Sequence, residues 1–167
     1  MKVRRLDSRR RSLEPEGRAL EAAWRHGASP KPYYYGRDVI VMEYVGGPSL
    51  GWAYSLGLLT GSMVSEALEA ARSLDNAGIL HLELHRPWEN IVYTSTMKAL
   101  IVDLDSHSRG CGNVARLVSG LARISSRLLR EVREGDLREA LREYYRRGCP
   151  RDVYLAIKNM VLDALGL

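Results

Sequence analysis

Lys2, Glu16, Glu83, Asn90 and Asp103 follow one another along the chain as a cation, a carboxylate, a second carboxylate, an amide and a third carboxylate. Phosphoryl transfer asks a protein for these groups: a cation on the phosphates, oxygen ligands for one or two metal ions, and a carboxylate beside the attacking hydroxyl. Within GILHLELHRPWENIVYTSTMKALIVDLD, His81-Leu82-Glu83 follows a helical stretch, Asn90 enters a short hairpin and Asp103 leaves it. Each lies at a loop end, where site residues concentrate. Lys2 stands in the run KVRR, which reads as a strand end, and Glu16 lies early in the next helix, able to reach back to it. Such an ion pair orients a lysine toward phosphates. The plain alternative is that Glu83 and Asp103 cap elements or pair with nearby arginines.

The elements that must position these groups are legible from periodicity. Leu13, Leu20, Ala23 and Trp24 recur at helical spacing over residues 13–26, with Ser12 near the start, Pro15 in the first turn and Gly27 just past the end. YYYGRDVIVMEYV reads as two strands joined by a turn at Gly36–Asp38. Val64, Ala67, Leu68, Ala71 and Leu74 make one apolar stripe of a helix over 63–76, and Gly78 suits the left-handed position after it. Ile91 to Tyr93 and Ala99 to Val102 form the hairpin. From there the pattern is helical to the end, in three helices: Val114 to Leu128 share one face, Asp136 and Glu139 have capping-box spacing, and Val153 to Ala164 share another face. GGPSLG at 46–51 reads as a plain turn. The order describes an α+β protein without internal repeats.

Composition sets the class. With 46% hydrophobic and 27% charged residues, the 167-residue chain reads as globular, and no apolar run approaches the length of a membrane span. Neither a span nor a signal peptide is expected, so the expected location is cytoplasmic. Cys111 and Cys149 lack CxxC spacing and are expected to be two reduced thiols, not a zinc site or a disulfide. The net charge of +5 is densest at Arg4, Arg5, Arg9, Arg10 and Arg11. That run either meets a phosphate-bearing partner such as RNA or the ribosome, or is a solvated face paired with Asp7 and Glu14. The arginine content and the absence of Phe are compatible with a thermophilic source.

KVRRLDSRR, PEGRALEAAWRHGASPKPYYYGRDVIVMEYVGGPSL, HLELHRPWENIV and IVDLDS, taken together and in order, resemble the small predicted serine/threonine kinases of archaea related to RIO-type and lipopolysaccharide-type kinases. The resemblance covers roughly residues 2–120 and implies a protein-kinase-like two-lobed fold, with residues 1–47 as a partial N-lobe and 48–167 as a mainly helical C-lobe. It implies Lys2 as the phosphate-binding lysine, Glu16 as its helix partner, and Glu43, Tyr44 and Val45 as the hinge whose backbone holds adenine. Glu83 stands where the general base stands, and Asn90 and Asp103 where Mg2+ or Mn2+ is held; Asp105 is a weaker candidate. The implied cofactor is ATP and the implied acceptor a protein hydroxyl. The sequence departs from the pattern in several places. Glu83 replaces the usual Asp and lies seven residues before Asn90 where five is usual, Leu104 and Asp105 replace Phe and Gly, and nothing precedes Lys2 to supply a glycine-rich loop. Only about seven residues separate Asp105 from the next helix, too few for a long activation segment. A catalytically weak nucleotide-binding scaffold, or a basic RNA- or ribosome-associated protein, are the alternatives to an active phosphotransferase.

Overall fold

A computed structural model describes residues 1–5 and 11–167, so Asp7, Arg9 and Arg10 of the basic run lie outside the described residues. The chain is a mixed α+β protein, with three small antiparallel sheets among the described residues and a helical second half. It opens with β1 (Lys2–Val3), α1 (Glu14–Arg25), β2 (Pro32–Tyr35) and β3 (Val39–Met42). The first sheet has the order β1-β3-β2, so both outer strands pair with β3 and α1 lies in the connection between them.

The helix α1 forms as its sequence requires. Pro15 occupies the first turn, Glu14 and Glu16 sit at the positive end of the helix dipole, and Ser12 Oγ accepts a hydrogen bond from the Glu14 amide at 3.1 Å. Leu20 and Ala23 are fully buried on its inner face. Gly27, at φ +74°, turns the chain away, and its amide donates to the Trp24 carbonyl.

After β3 comes α2 (Leu50–Ser55), which begins inside the GGPSLG segment expected to be a plain turn. Ser49 starts it by accepting from the Trp52 amide at 3.1 Å. Then follow α3 (Gly61–Asn76), capped by Thr60, β4 (Ile79–His81), α4 (Pro87–Asn90), β5 (Ile91–Tyr93) and β6 (Ala99–Ile101). The hairpin pairs Ile91 with Ile101 and Tyr93 with Ala99, as expected.

The segment after Asp105 is not helical throughout. β7 (His107–Arg109) pairs with β4, His81 opposite His107, before α5 (Asn113–Leu121) begins. The apolar face expected to run from Val114 to Leu128 is broken by a short 3-10 turn over Ala122–Ile124. Ser125 then adopts an extended backbone and caps a new helix, α6 (Ser126–Glu134). The chain ends in α7 (Asp136–Arg146) and α8 (Arg151–Leu165), making four helices after β7 where three were expected. The Asp136/Glu139 capping box does not form, because Gly135 takes the cap position and Asp136 is already inside the helix.

The expectation of two reduced thiols is corrected: Cys111 and Cys149 form a disulfide, with their Cα atoms 6.4 Å apart. The start of α5 and the turn between α7 and α8 bring together two residues that are 38 apart in sequence. One continuous apolar cluster runs from Leu13 to Ala164, fed by every long helix. Among the described residues no helix is long and apolar enough to cross a membrane.

Candidate active site

The first sheet, the hairpin and α1 converge on Lys2. Its ammonium donates to Glu16 Oε1 at 2.7 Å and to Asp103 Oδ1 at 2.5 Å, joining residues 14 and 101 positions away. Pairing of β1 with β3 fixes the lysine backbone, Lys2 opposite Ile40, and α1 carries Glu16 underneath. Glu16 is 3% exposed, and its second oxygen, Oε2, is buried without a partner. Burial therefore pushes the Glu16 carboxyl above the usual range, against the opposing pull of Lys2, with the Asp103 and Asp105 charges adding to the rise. Burial tends to lower the Lys2 ammonium, but hydrogen bonds to Asp103 and Glu16 outweigh it and hold the lysine protonated beyond its ordinary range. The two shifts are consistent, because Lys2 shares two carboxylates while Glu16 has one cation for two oxygens.

Asp103 leaves the hairpin at φ +60°, a left-handed backbone that a non-glycine residue seldom adopts. Such strain persists where surrounding structure enforces it, and it clusters at functional sites. The flanks enforce it here: the Val102 amide donates to the Asn90 carbonyl at 2.9 Å, Leu104 is fully buried, and His107 Nδ1 lies 2.6 Å from the Leu104 carbonyl oxygen. The Val102–Asn90 bond also places Asn90 and Asp103 together at the open end of the hairpin. The Asn90 amide nitrogen donates to the Arg86 carbonyl at 3.2 Å, leaving its oxygen outside that bond.

Glu83 sits in the turn between β4 and α4, exposed to solvent. Its amide donates to His81 Nδ1 at 3.2 Å, its carbonyl accepts from the Arg86 amide at 2.8 Å, and the preceding Leu82 amide donates to the Ser106 carbonyl at 2.8 Å. The turn is thus stitched to the segment that follows Asp103. Burial pushes the His81 imidazole below its ordinary range, against the opposing pull of Asp103, the Val102 backbone, Glu83 and Asp105.

What holds that turn was not foreseen from the sequence. Asn113, fully buried at the start of α5, accepts from the His81 amide at 2.8 Å and donates to the Ile79 carbonyl at 2.6 Å and to Asp75 Oδ1 at 2.7 Å. Asp75, at the end of α3, also accepts from the amides of Gly112 and Asn113 and from the Tyr144 hydroxyl. Burial still raises its carboxyl above the usual range despite these donors. Gly120 completes the support: a β-carbon there would lie 2.6 Å from Pro87 Cδ and 2.9 Å from the His85 carbonyl oxygen, so α5 approaches the turn only because residue 120 has none. The sequence signals were an aspartate closing an otherwise apolar stripe and an asparagine opening a helix.

The structure brings Lys2, Glu16 and Asp103 into direct contact, sets Asn90 beside Asp103 through the hairpin, and ties the Glu83 turn to the same end of the molecule. It does not bring the expected hinge into contact with them. Glu43 is engaged with Lys31, through its amide to the Lys31 carbonyl and its Oε2 from the Lys31 amide, while Tyr44 is 90% exposed. Among the described residues no group of three or more His, Cys, Asp or Glu side chains is arranged as a metal site. Asn90 and Asp103 are the residues at this end of the hairpin whose side-chain oxygens could hold a metal ion, Asp103 Oδ1 being engaged by Lys2. Comparison with protein-family models and with curated proteins returns no match.

Proposed function

We propose that this chain is the ATP-handling part of a protein-kinase-like phosphotransferase that moves the γ-phosphate of ATP to a hydroxyl acceptor. The observation that carries the reading is Lys2 bridging Glu16 and Asp103, three residues of the expected types in the expected order, drawn together from distant parts of the chain. The protein-kinase-like two-lobed arrangement belongs to the same proposal. It is supported by α1 lying between the first two strands and by a site formed where the first sheet meets the hairpin.

In this reading Glu16 fixes Lys2, and Lys2 turns from Asp103 to the phosphates when nucleotide enters. The backbone of Glu43 to Val45 receives the adenine. Glu83 accepts the proton of the acceptor hydroxyl, with His81 and Asn113 holding the backbone of its turn. Asn90 and Asp103 hold Mg2+ or Mn2+, which would supply charge neutralisation on the phosphate oxygens. The departures at Glu83, one methylene longer than Asp, bear on rate, because transfer tolerates misplacement of only about an ångström.

The experiment is equilibrium binding of ATP, with Mg2+ or Mn2+, followed by phosphate release and transfer assays on the full chain and on Asp103→Ala. Metal-dependent binding and turnover that disappear in the variant support the proposal. Turnover that survives Asp103→Ala refutes the metal assignment, binding without turnover under either metal marks a nucleotide-binding scaffold, and absence of binding refutes the reading altogether.

A further inference from the structure

The turn that carries Glu83 is met by two arginines that, among the described residues, form no ion pair. Arg116, on α5, reaches across 34 residues of sequence to donate from Nη1 to the Leu82 carbonyl at 2.8 Å. The same carbonyl oxygen lies 3.2 Å from His85 Nδ1. Arg86 is exposed in the turn itself and is joined to Glu83 through its backbone amide. Among the described residues Arg86 and Arg116 form no ion pair, not even with the adjacent Glu83; many described arginines are likewise unpaired, and what distinguishes Arg116 is its bond to the turn itself.

One hydrogen bond occupies one of five guanidinium donors, and it fixes the plane of Arg116 beside the turn with the other donors unused by carboxylates. A guanidinium held in this way is preorganised for a carboxylate or a phosphate, which it can grip through two parallel bonds.

We infer that the acceptor is an acidic peptide, its hydroxyl residue flanked by carboxylate or phosphate groups that Arg86, in the Glu83 turn, and Arg116, bonded to that turn, receive. This rests on the phosphotransferase reading above and names the substrate class for it. One arginine within the Glu83 turn and one bonded to it supply two cations for the near neighbours of a single residue in an extended peptide, where successive residues lie about 3.3 Å apart. A single-stranded nucleic acid would call for a longer basic track with aromatic platforms.

The test is fluorescence anisotropy with three labelled serine peptides that differ only in the flanks, Glu, phosphoserine or Ala, alongside a single-stranded RNA oligonucleotide and a separate ATP-binding titration. The expected result is binding of the Glu or phosphoserine peptide at least tenfold tighter than the Ala peptide, weakening with salt. The comparison of Glu with phosphoserine tells which anion is preferred. Arg116→Gln and, independently, the exposed Arg86→Gln should reduce the acidic peptide to the affinity of the Ala peptide while ATP binding persists and thermal melting shows a folded chain. Equal binding of all three peptides, tighter binding of the RNA, or wild-type discrimination in both variants overturns the inference. Loss of ATP binding in the wild type overturns the phosphotransferase reading instead, and the peptide result then stands as an acidic-peptide site alone.

Discussion

Glu16 has one oxygen on Lys2 and the other buried without a partner, so the lysine does two jobs: it faces the site and it offsets a buried carboxylate. On the proposed phosphotransferase reading, Lys2→Met should lower turnover by about 100-fold or more, the usual cost of removing one electrostatic donor from a site. It should also destabilise the chain by roughly 1–3 kcal/mol, the penalty for a buried polar group left unpaired. Adding Glu16→Gln should restore the melting temperature and not the turnover; recovery of both would show that Lys2 acts only through packing. His81 gives a pH prediction. Burial lowers its imidazole below the ordinary 6.5. With the folded value depressed, the unfolded chain takes the proton first, so this contribution to stability is present above about pH 6.5 and is lost as pH falls toward the folded value. The slope is at most about 1.4 kcal/mol per pH unit. Protonation at Nδ1 would also break the bond from the Glu83 amide. Urea midpoints at pH 7 and 5.5 for wild type and His81→Gln check it: the stability difference between them should shrink on acidification. The raised carboxyls of Glu16 and Asp75 push the other way, which is why the comparison with the variant, and not the raw wild-type curve, decides.

Elements with a long apolar period were legible and those held by single polar contacts were not. α1, α3, the two strands around Gly36–Asp38 and the β5–β6 hairpin follow from stripes and turn residues. β7, the polar triplet His107–Arg109, has no alternation to read and exists because β4 offers it a partner. α2 was hidden by the glycines and proline before it, and its start depends on the Ser49 cap. The same division applies to the candidate site. Lys2, Glu16, Glu83, Asn90 and Asp103 stand out as candidates because their types and order carry meaning, whereas Asp75 and Asn113 act through bonds spanning 32 to 69 residues and sit in segments that read as ordinary helix. Truncating Asp75 to Ala would strand two amides, the Asn113 amide group and the Tyr144 hydroxyl together, and should cost about 3–5 kcal/mol by thermal or urea unfolding. At the α5 crossing, Gly120→Ala would push a methyl into Pro87 and the His85 carbonyl, at about 1–3 kcal/mol. Unchanged stability in either variant would mean that the turn is held by something else.

At the scale of the whole molecule, the disulfide was misjudged because its proximity is purely tertiary: neither cysteine has a sequence neighbour that advertises the other. It joins the residue just before Gly112 and Asn113, which hold Asp75, to Cys149, whose carbonyl accepts from Arg72 at 2.5 Å, so both ends of the bridge meet the same buried network. A bridge over 38 residues should contribute roughly 4 kcal/mol by loop closure, and dithiothreitol or Cys149→Ser should lower the melting temperature accordingly. A melting temperature indifferent to reductant would show that the packing of α7 and α8 suffices alone. The bridge has one more consequence, which concerns connectivity and not energy. Residues 111–149 form a covalent ring that contains α5, α6 and α7. A single backbone cut within it, for instance at the Glu134–Gly135 junction between α6 and α7, opens the ring and releases nothing. The nicked protein remains one molecule, and its two halves part only when a thiol reductant is added.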